Sequence, residues 1–426
     1  MIASIPVSLR LDNAANIYPA SMSKHYSSLY RLKVTLTDPI DITLLQAALL
    51  RVSERIPTFR CTLKAGAFWW YLKRCDAQPE VLPLKPLKQF RLKDQNGLLY
   101  RVSATDNVIS LDVFHALADG NGAMCFLLTL AGEYIRCKYG IAIGYNSLVW
   151  DPTDNVAYAE VEDSFKTYFS GRHGQLEQNV DAYHIKGKEL SRGEVKDLKA
   201  VLSADELKHV CREYNCTVTE LLTAAMLSAL QEEHRYDRSA RKRSVLKVSV
   251  PVNLRPLYGS RTVRNFSSYV NMGVDVKEGY LLFKDLVEAV KAQKATDLRK
   301  ENLEPKIFAN VELEEMLLVR LLPLKVKHPI IDIINLLHGD RFVSQTLSNM
   351  GRLDVPQEMV PYISDIDFIL GRQRGNSGAF SCLCYNGKVN VHMTRKIARS
   401  TFEQSFLEQL NLLGLTVRTG AESNIS

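Results

Sequence analysis

Apolar and polar positions recur with two distinct periods along this chain, and the switches between them mark its elements. From residue 30 to 36 the apolar positions Leu32, Val34 and Leu36 recur every second residue, the period of a strand with one buried face. Asp41 then stands where a helix N-cap belongs. Leu44, Leu45, Ala48, Leu49 and Val52 form a helical stripe that stops before Pro57. Residues 59–64 and 68–73 flank Ala65-Gly66 and predict a hairpin whose second strand is rich in aromatics. A second hairpin is predicted from 98–104 and 108–114 around Asp106-Asn107. Residues 115–120 follow directly, then a helix from about Gly122 to Tyr139 closed by Gly140.

From 150 to about 188 the periodicity fades into polar and glycine-containing stretches, which places a connection between two halves there. Beyond it, Ser203 with Glu206 and Thr217 with Glu220 have the offset of capping boxes. Leu221, Leu222, Ala225, Met226 and Ala229 form the buried stripe of the second of these helices. Residues 245–252 read as a strongly apolar strand broken only by Lys247 and Ser249. A helix is predicted near 283–299, mixed helical segments to about 337, and a strand at 362–370. Asn386-Gly387 joins 379–385 to 388–394, the strongest short hairpin signal present. Ser400 and Glu403 have the spacing of a last capping box, on a helix ending at Gly414. The pattern predicts an α+β protein of two lobes, 1–165 and 189–426, joined by 166–188. Each lobe is expected to be a mixed, largely antiparallel sheet with helices.

Composition narrows the classes. With 46% hydrophobic residues among 426, the bulk of the chain is not intrinsically disordered. No apolar run approaches the ~18–20 residues of a membrane span. The best, 124–130, is soon closed by Glu133 and Arg136. The first residues lack the basic and apolar regions of a signal peptide, so a cytoplasmic location is expected. A net charge of +7, from 54 basic and 47 acidic side chains, does not point to nucleic acid. The cluster Arg235, Arg238, Arg241, Lys242 and Arg243 reads first as a solvated loop and second as a phosphate contact. None of the eight cysteines forms a C-x-x-C pair. Cys382 and Cys384 share a strand face with His392 across a tight turn, where core thiols are favoured over a metal, so no metal is expected.

One stretch carries chemistry. An apolar strand through Leu111, Val113 and Phe114 delivers His115 at its end, and Asp119-Gly120 turns the chain into the next helix. An imidazole titrating near neutrality is suited to take a proton from a hydroxyl at pH 7. In a chain of this composition H-x-x-x-D-G is expected about 0.025 times by chance, so its occurrence after a strand is informative.

His115-x-x-x-Asp119-Gly120 after a strand resembles the signature of the CoA-dependent acyltransferase superfamily. That superfamily includes chloramphenicol acetyltransferase, plant BAHD acyltransferases, condensation domains and alcohol O-acetyltransferases. Further elements agree in order over essentially the whole chain. Val250-Pro251-Val252-Asn253-Leu254-Arg255-Pro256, with Asn265-Phe266 downstream, resembles the family strand that ends in an arginine. Ser348-Asn349-Met350-Gly351 and Asp367-Phe368-Ile369-Leu370-Gly371 resemble its C-terminal pair. Tyr18-Pro19-Ala20, the segment 56–59 and Phe68-Trp69-Trp70-Tyr71 are similar to the bacterial alcohol acetyltransferase branch. Phe114 stands where condensation domains and wax ester synthases carry a second histidine, and the C-terminal motif lacks the plant-type tryptophan.

The resemblance implies two chloramphenicol-acetyltransferase-like lobes with a channel between them and His115 mid-channel as general base. Acyl-CoA, most simply acetyl-CoA, is implied as co-substrate with no bound cofactor, and the acceptor carries a hydroxyl or an amine. Asp119 is implied to be structural and paired with Arg255, and Gly120 to shape the turn. Ser348 is the candidate oxyanion donor, with a turn-forming role as the equal alternative. Asn265, Asn349, Gly351, Asp367 and Gly371 are implied to be structural or to line the channel. Two readings compete with a CoA-dependent alcohol O-acyltransferase: a condensation-type enzyme using an acyl carrier protein, and a non-catalytic binding protein of the same fold.

Overall fold

Local side-chain chemistry sets where the elements begin and turn. The Asp41 carboxylate accepts from the N–H groups of Thr43 and Leu44, starting the helix Ile42–Arg55. Thr217 and Glu220 form a reciprocal capping box before Val218–Tyr236. Asn386 and Gly387 both take positive φ, 45° and 74°, as a two-residue hairpin turn requires. The computed structural model describes residues 8–21, 28–87, 96–171, 173–174, 180–191, 193–237, 240, 243–316, 321–324, 326–327 and 340–425.

In chain order these residues form β1 (Ser8–Arg10), α1 (Ile17–Ser21), β2 (Leu29–Leu36), α2 (Ile42–Arg55), β3 (Cys61–Ala65), β4 (Trp70–Arg74), β5 (Val81–Pro83), β6 (Tyr100–Thr105), β7 (Val108–Phe114), α3 (Gly120–Tyr139) and α4 (Ser164–Phe169). There follow β8 (Lys196–Ser203), α5 (Ala204–Glu213), α6 (Val218–Tyr236), β9 (Val245–Asn253), α7 (Arg255–Tyr258), β10 (Ser267–Asp275), α8 (Phe283–Asp297) and α9 (Lys300–Glu315). The chain closes with β11 (Gln345–Arg352), β12 (Ile363–Leu370), β13 (Gly378–Tyr385), β14 (Lys388–Arg395), α10 (Phe402–Leu412), β15 (Arg418–Thr419) and β16 (Ser423–Asn424).

Two mixed sheets form two lobes. A five-stranded sheet runs β12-β2-β7-β6-β5 and packs on α2 and α3. The larger sheet runs β10-β9-β11-β13-β14-β8-β15, with β16 also on β8, under α6, α8 and α10. A small sheet β1-β4-β3 flanks the first lobe. The sheets do not follow the linear halves 1–165 and 189–426, because β12 crosses over to pair with β2, Phe368 opposite Leu32. The far edge of β12 meets side chains instead of a ladder partner. The Ser381 hydroxyl donates to the Phe368 carbonyl (2.6 Å), the Asn390 amide to Ile366 (2.8 Å) and the Tyr385 hydroxyl to Ile363 (3.1 Å). These bonds satisfy the exposed carbonyls of an otherwise open edge inside the molecule.

Several local expectations are corrected. Ser203 accepts from the Glu206 N–H at 3.4 Å, but the Glu206 carboxylate serves the Thr416 N–H instead of closing a box. Thr401, not Ser400, occupies the N-cap of α10, and Glu403 is buried beside Arg395 at 3.9 Å. Cys382 is a core thiol, whereas His392, opposite Ser381 in the ladder, faces away toward two carboxylates. Arg235 stacks on Tyr280 and pairs with Glu232 on the surface. Arg238, Arg241 and Lys242 lie outside the described residues, as do 317–320, 325 and 328–337 of the helical segments expected up to 337. Among the described residues no helix is long and apolar enough to cross a membrane.

Candidate active site

The site begins with the end of β7. Backbone hydrogen bonds from Phe114 to the Leu99 carbonyl (2.9 Å) and from His115 to the Ser28 carbonyl (3.0 Å) pin the strand on both sides. A tight turn follows, and the Asp119 side chain caps α3 by accepting from the Gly122 N–H at 3.0 Å. Helix α3 is almost entirely buried, which fixes the loop before it. Gly120 is already the first helical residue rather than the turn, and a side chain there would meet Met350 and Phe368 only at ordinary contact distance. The glycine demanded by close packing is Gly122, whose absent Cβ would lie 1.9 Å from the Val263 carbonyl oxygen.

Val263 belongs to the other lobe, and the segment around it closes over Asp119. Arg255 makes a two-pronged ion pair with Asp119, 2.9 Å to Oδ2 and 3.0 Å to Oδ1. Its remaining N–H groups donate to the Thr262 and Arg264 carbonyls and to Asn253 Oδ1. The Phe266 N–H adds a third bond to Asp119, at 2.9 Å. Phe266 is held in turn by an aromatic wedge of Phe165, Tyr168 and Phe169 that packs with Leu254 and Phe308. Asp119 is thus a helix cap and the anchor between the lobes at once.

The same segment reaches His115. Asn265, between Arg264 and Phe266, places its amide oxygen 3.1 Å from His115 Nδ1. An amide oxygen only accepts, so Nδ1 carries the proton and Nε2 keeps its lone pair. Tyr18 of α1 stacks on the imidazole, ring centroids 4.3 Å apart, with its hydroxyl 3.4 Å from Nε2. Tyr30 meets the ring edge-on and donates its hydroxyl to the Ala118 carbonyl. Burial lowers the His115 pKa below the usual imidazole value. Its own backbone carbonyl, the Asp119 charge and the Asn265 bond only partly oppose that shift. The imidazole is therefore neutral at pH 7, the state in which Nε2 accepts a proton.

The other candidates fall into two groups. Ser348 lies half-buried on β11, on the face opposite the core residue Leu347 and shared with Met350, which approaches Gly120. Asn349 donates to the Thr219 hydroxyl (3.0 Å) and accepts from the Gly351 N–H (2.8 Å), and both line a cavity of about 440 Å³ with Arg352, Lys208 and Tyr385. Neither His115 nor Asp119 lines that cavity. Asp367 is one of two carboxylates holding His392, and Gly371 lets its strand end approach β2, a Cβ there lying 2.2 Å from the Leu29 oxygen. Sequence reasoning named Asp367 and His392 separately but missed Asp12, Asp197 and the contacts that join them to the site and to each other, since those partners lie 253, 195 and 25 positions apart.

No family model and no curated protein matches the sequence. The fold does match solved structures. Polyketide synthase associated protein 5 from Mycobacterium tuberculosis aligns over 95% of this chain and 96% of its own, with TM-score 0.64 and 15% identity. The TRI3 trichothecene 15-O-acetyltransferase from Fusarium sporotrichioides aligns over 95% of both chains, with TM-score 0.62 and 11% identity. TRI101 of F. sporotrichioides, solved with coenzyme A and T-2, aligns over 98% of this chain and all of its own, with TM-score 0.62 and 10% identity. Condensation domains share the architecture. The chain has the two-lobed fold of these acyltransferases and condensation domains. At such identities the likeness concerns the fold, and the chemistry is argued from the site.

Proposed function

We propose that this protein is an acyltransferase that moves an acyl group, most simply acetyl, from a CoA thioester to an alcohol. One observation carries the reading: a neutral His115 has its Nδ1 tied to Asn265 of the facing lobe, which leaves the Nε2 lone pair beside the Tyr18 hydroxyl at 3.4 Å to take a proton. His115 removes the acceptor proton as its oxygen attacks the thioester carbonyl. The tetrahedral oxyanion collapses, the C–S bond breaks, and the proton passes to the departing thiolate. Ser348 is the candidate donor to the oxyanion, from the strand face that meets the motif loop. Asp119 and Arg255 keep the loop and the facing lobe in register and take no proton. The coenzyme A complex of TRI101 supports a CoA donor. Condensation domains among the matches favour a second reading, a carrier-bound donor, which Phe114 in place of a second histidine weighs against.

The test is incubation with acetyl-CoA and a panel of alcohols, following free thiol. His115→Ala is expected to stay folded and to lose at least about a hundredfold in thiol release, the scale for removing a general base. Near-native turnover in the purified variant overturns the assignment. Turnover only with an acylated carrier protein selects the second reading.

A further inference from the structure

Asp12 lies between β1 and α1, far from the motif in sequence, and is completely buried. One carboxylate oxygen, Oδ1, accepts from the Ala15 N–H at 2.8 Å and starts a turn of helix there. The other, Oδ2, lies 3.5 Å from the Asn265 amide nitrogen and 3.6 Å from the Arg264 guanidinium. Asn265 is itself 1% exposed, and its amide lies between two neighbours, His115 Nδ1 and the Asp12 carboxyl. An amide presents donors on one side and an acceptor on the other. With its NH2 turned to the Asp12 carboxylate, its oxygen must face His115 Nδ1. If the amide turned over, its NH2 would meet Nδ1 and its oxygen would meet a carboxylate. The first contact selects the opposite tautomer, and the second is repulsive for the ionised Asp12, whose pKa burial raises to about 7, so the preference strengthens as pH rises past 7.

We propose that Asp12 is a positioning residue that, by orienting the Asn265 amide, holds His115 in the tautomer with the proton on Nδ1 and the lone pair on Nε2. This rests on the reading of His115 as the proton acceptor, and extends it to a segment outside the motif. The N-terminal segment thereby contributes to the site twice, through Asp12 beside Asn265 and Tyr18 against the imidazole face. Buried orientation of this kind acts on the reaction only through the histidine, because the wrong tautomer presents N–H where a base is needed. The backbone of His115 itself also favours the protonated ring, so the effect of Asp12 measures how much the amide adds to it.

The experiment reads the tautomer directly. In protein labelled with ¹⁵N-histidine, two-bond nitrogen–proton correlations distinguish Nδ1–H from Nε2–H, and His115→Ala assigns the signal. The unmodified protein is expected to show Nδ1–H at His115. Asp12→Ser keeps an oxygen to accept from the Ala15 N–H but does not reach Asn265, and is expected to raise the Nε2–H population. Its kcat is expected to fall at least about tenfold with KM for acyl-CoA within about twofold. Adding Asn265→Asp, whose two oxygens both accept, is expected to restore Nδ1–H in the Asp12→Ser background. An Nε2–H signal in the unmodified protein overturns the proposal, as does unchanged Nδ1–H with unchanged kcat in Asp12→Ser. If the tautomer responds while no acyl donor is turned over by any form, orientation by Asp12 stands and the acyltransferase reading falls.

Discussion

At the scale of single residues, Asp119 shows why the motif needs an aspartate rather than any capping side chain. Its oxygens serve the Gly122 N–H, the Phe266 N–H and the Arg255 guanidinium. Asparagine keeps an acceptor for the helix but loses the charge and leaves the mostly buried Arg255 against a neutral amide. Removing one partner of a buried ion pair costs about 3–5 kcal/mol, because the survivor is left uncompensated. Asp119→Asn and Arg255→Ala should each lower the melting temperature and the rate. The double variant should cost clearly less than the sum of the two. Additive thermal shifts in a double-mutant cycle would show that the pair contributes nothing jointly. The sequence made His115 and Asp119 legible because four-residue spacing after a strand is a local pattern. Asp12 was invisible, since its neighbour Asn265 is brought to it by the docking of one lobe on the other.

Strand β12 is the element on which the architecture turns. One edge joins the ladder of β2, and the other is held by side chains from β13 and β14, with a buried charge cluster among them. His392 of β14 bonds Asp197 of β8 at 2.8 Å and Asp367 of β12 at 2.9 Å. Lys199, Asp365 and Lys33 complete the group. Burial opposes the imidazolium, but the hydrogen bonds and charges of the two carboxylates outweigh it and push the His392 pKa up to about 9. Burial likewise opposes the Asp367 carboxylate, yet His392 and Lys199 hold it well below the usual carboxylate range. A raised histidine pKa gives stability that is complete below the unfolded value of about 6.5 and is lost as pH rises toward 9. The depressed Asp367 works in the other direction, its contribution lost as pH falls below about 4. Thermal unfolding should therefore show the melting temperature declining between pH 6.5 and 9. In His392→Gln the protein should be less stable at pH 6 and that decline should flatten; an unchanged slope would remove His392 as its source. The hairpin joining β13 to β14 was readable from Asn386-Gly387, whereas the crossover of β12 was not. Its alternation gives a strand and a buried face, but nothing in that period says which sheet receives it.

For the whole molecule, the arrangement of its nucleophiles decides the kinetic mechanism. An acyl-enzyme route requires an activated nucleophilic side chain, most often a serine or cysteine, beside the base. The chain contains no Gly-x-Ser-x-Gly elbow. Burial pushes the thiols of Cys61, Cys125, Cys211 and Cys382 up to about 12, far from the thiolate a nucleophile needs. Among the described residues the side chains that meet the His115 ring nitrogens are Tyr18 and Asn265, and a carboxamide is no acyl acceptor. On the proposed reading of His115 as the base, the acyl group is expected to pass directly from sulfur to oxygen. Initial rates at varied acyl-CoA and alcohol should then give intersecting double-reciprocal lines. Incubation with acyl-CoA alone should leave the intact mass unchanged. The Tyr18 hydroxyl lies 3.4 Å from His115 Nε2, so Tyr18→Phe separates the cases: turnover should persist through a ternary complex. Parallel lines, with a stoichiometric acyl adduct that disappears when alcohol is added, would instead establish a covalent intermediate. Loss of that adduct in Tyr18→Phe would name its carrier.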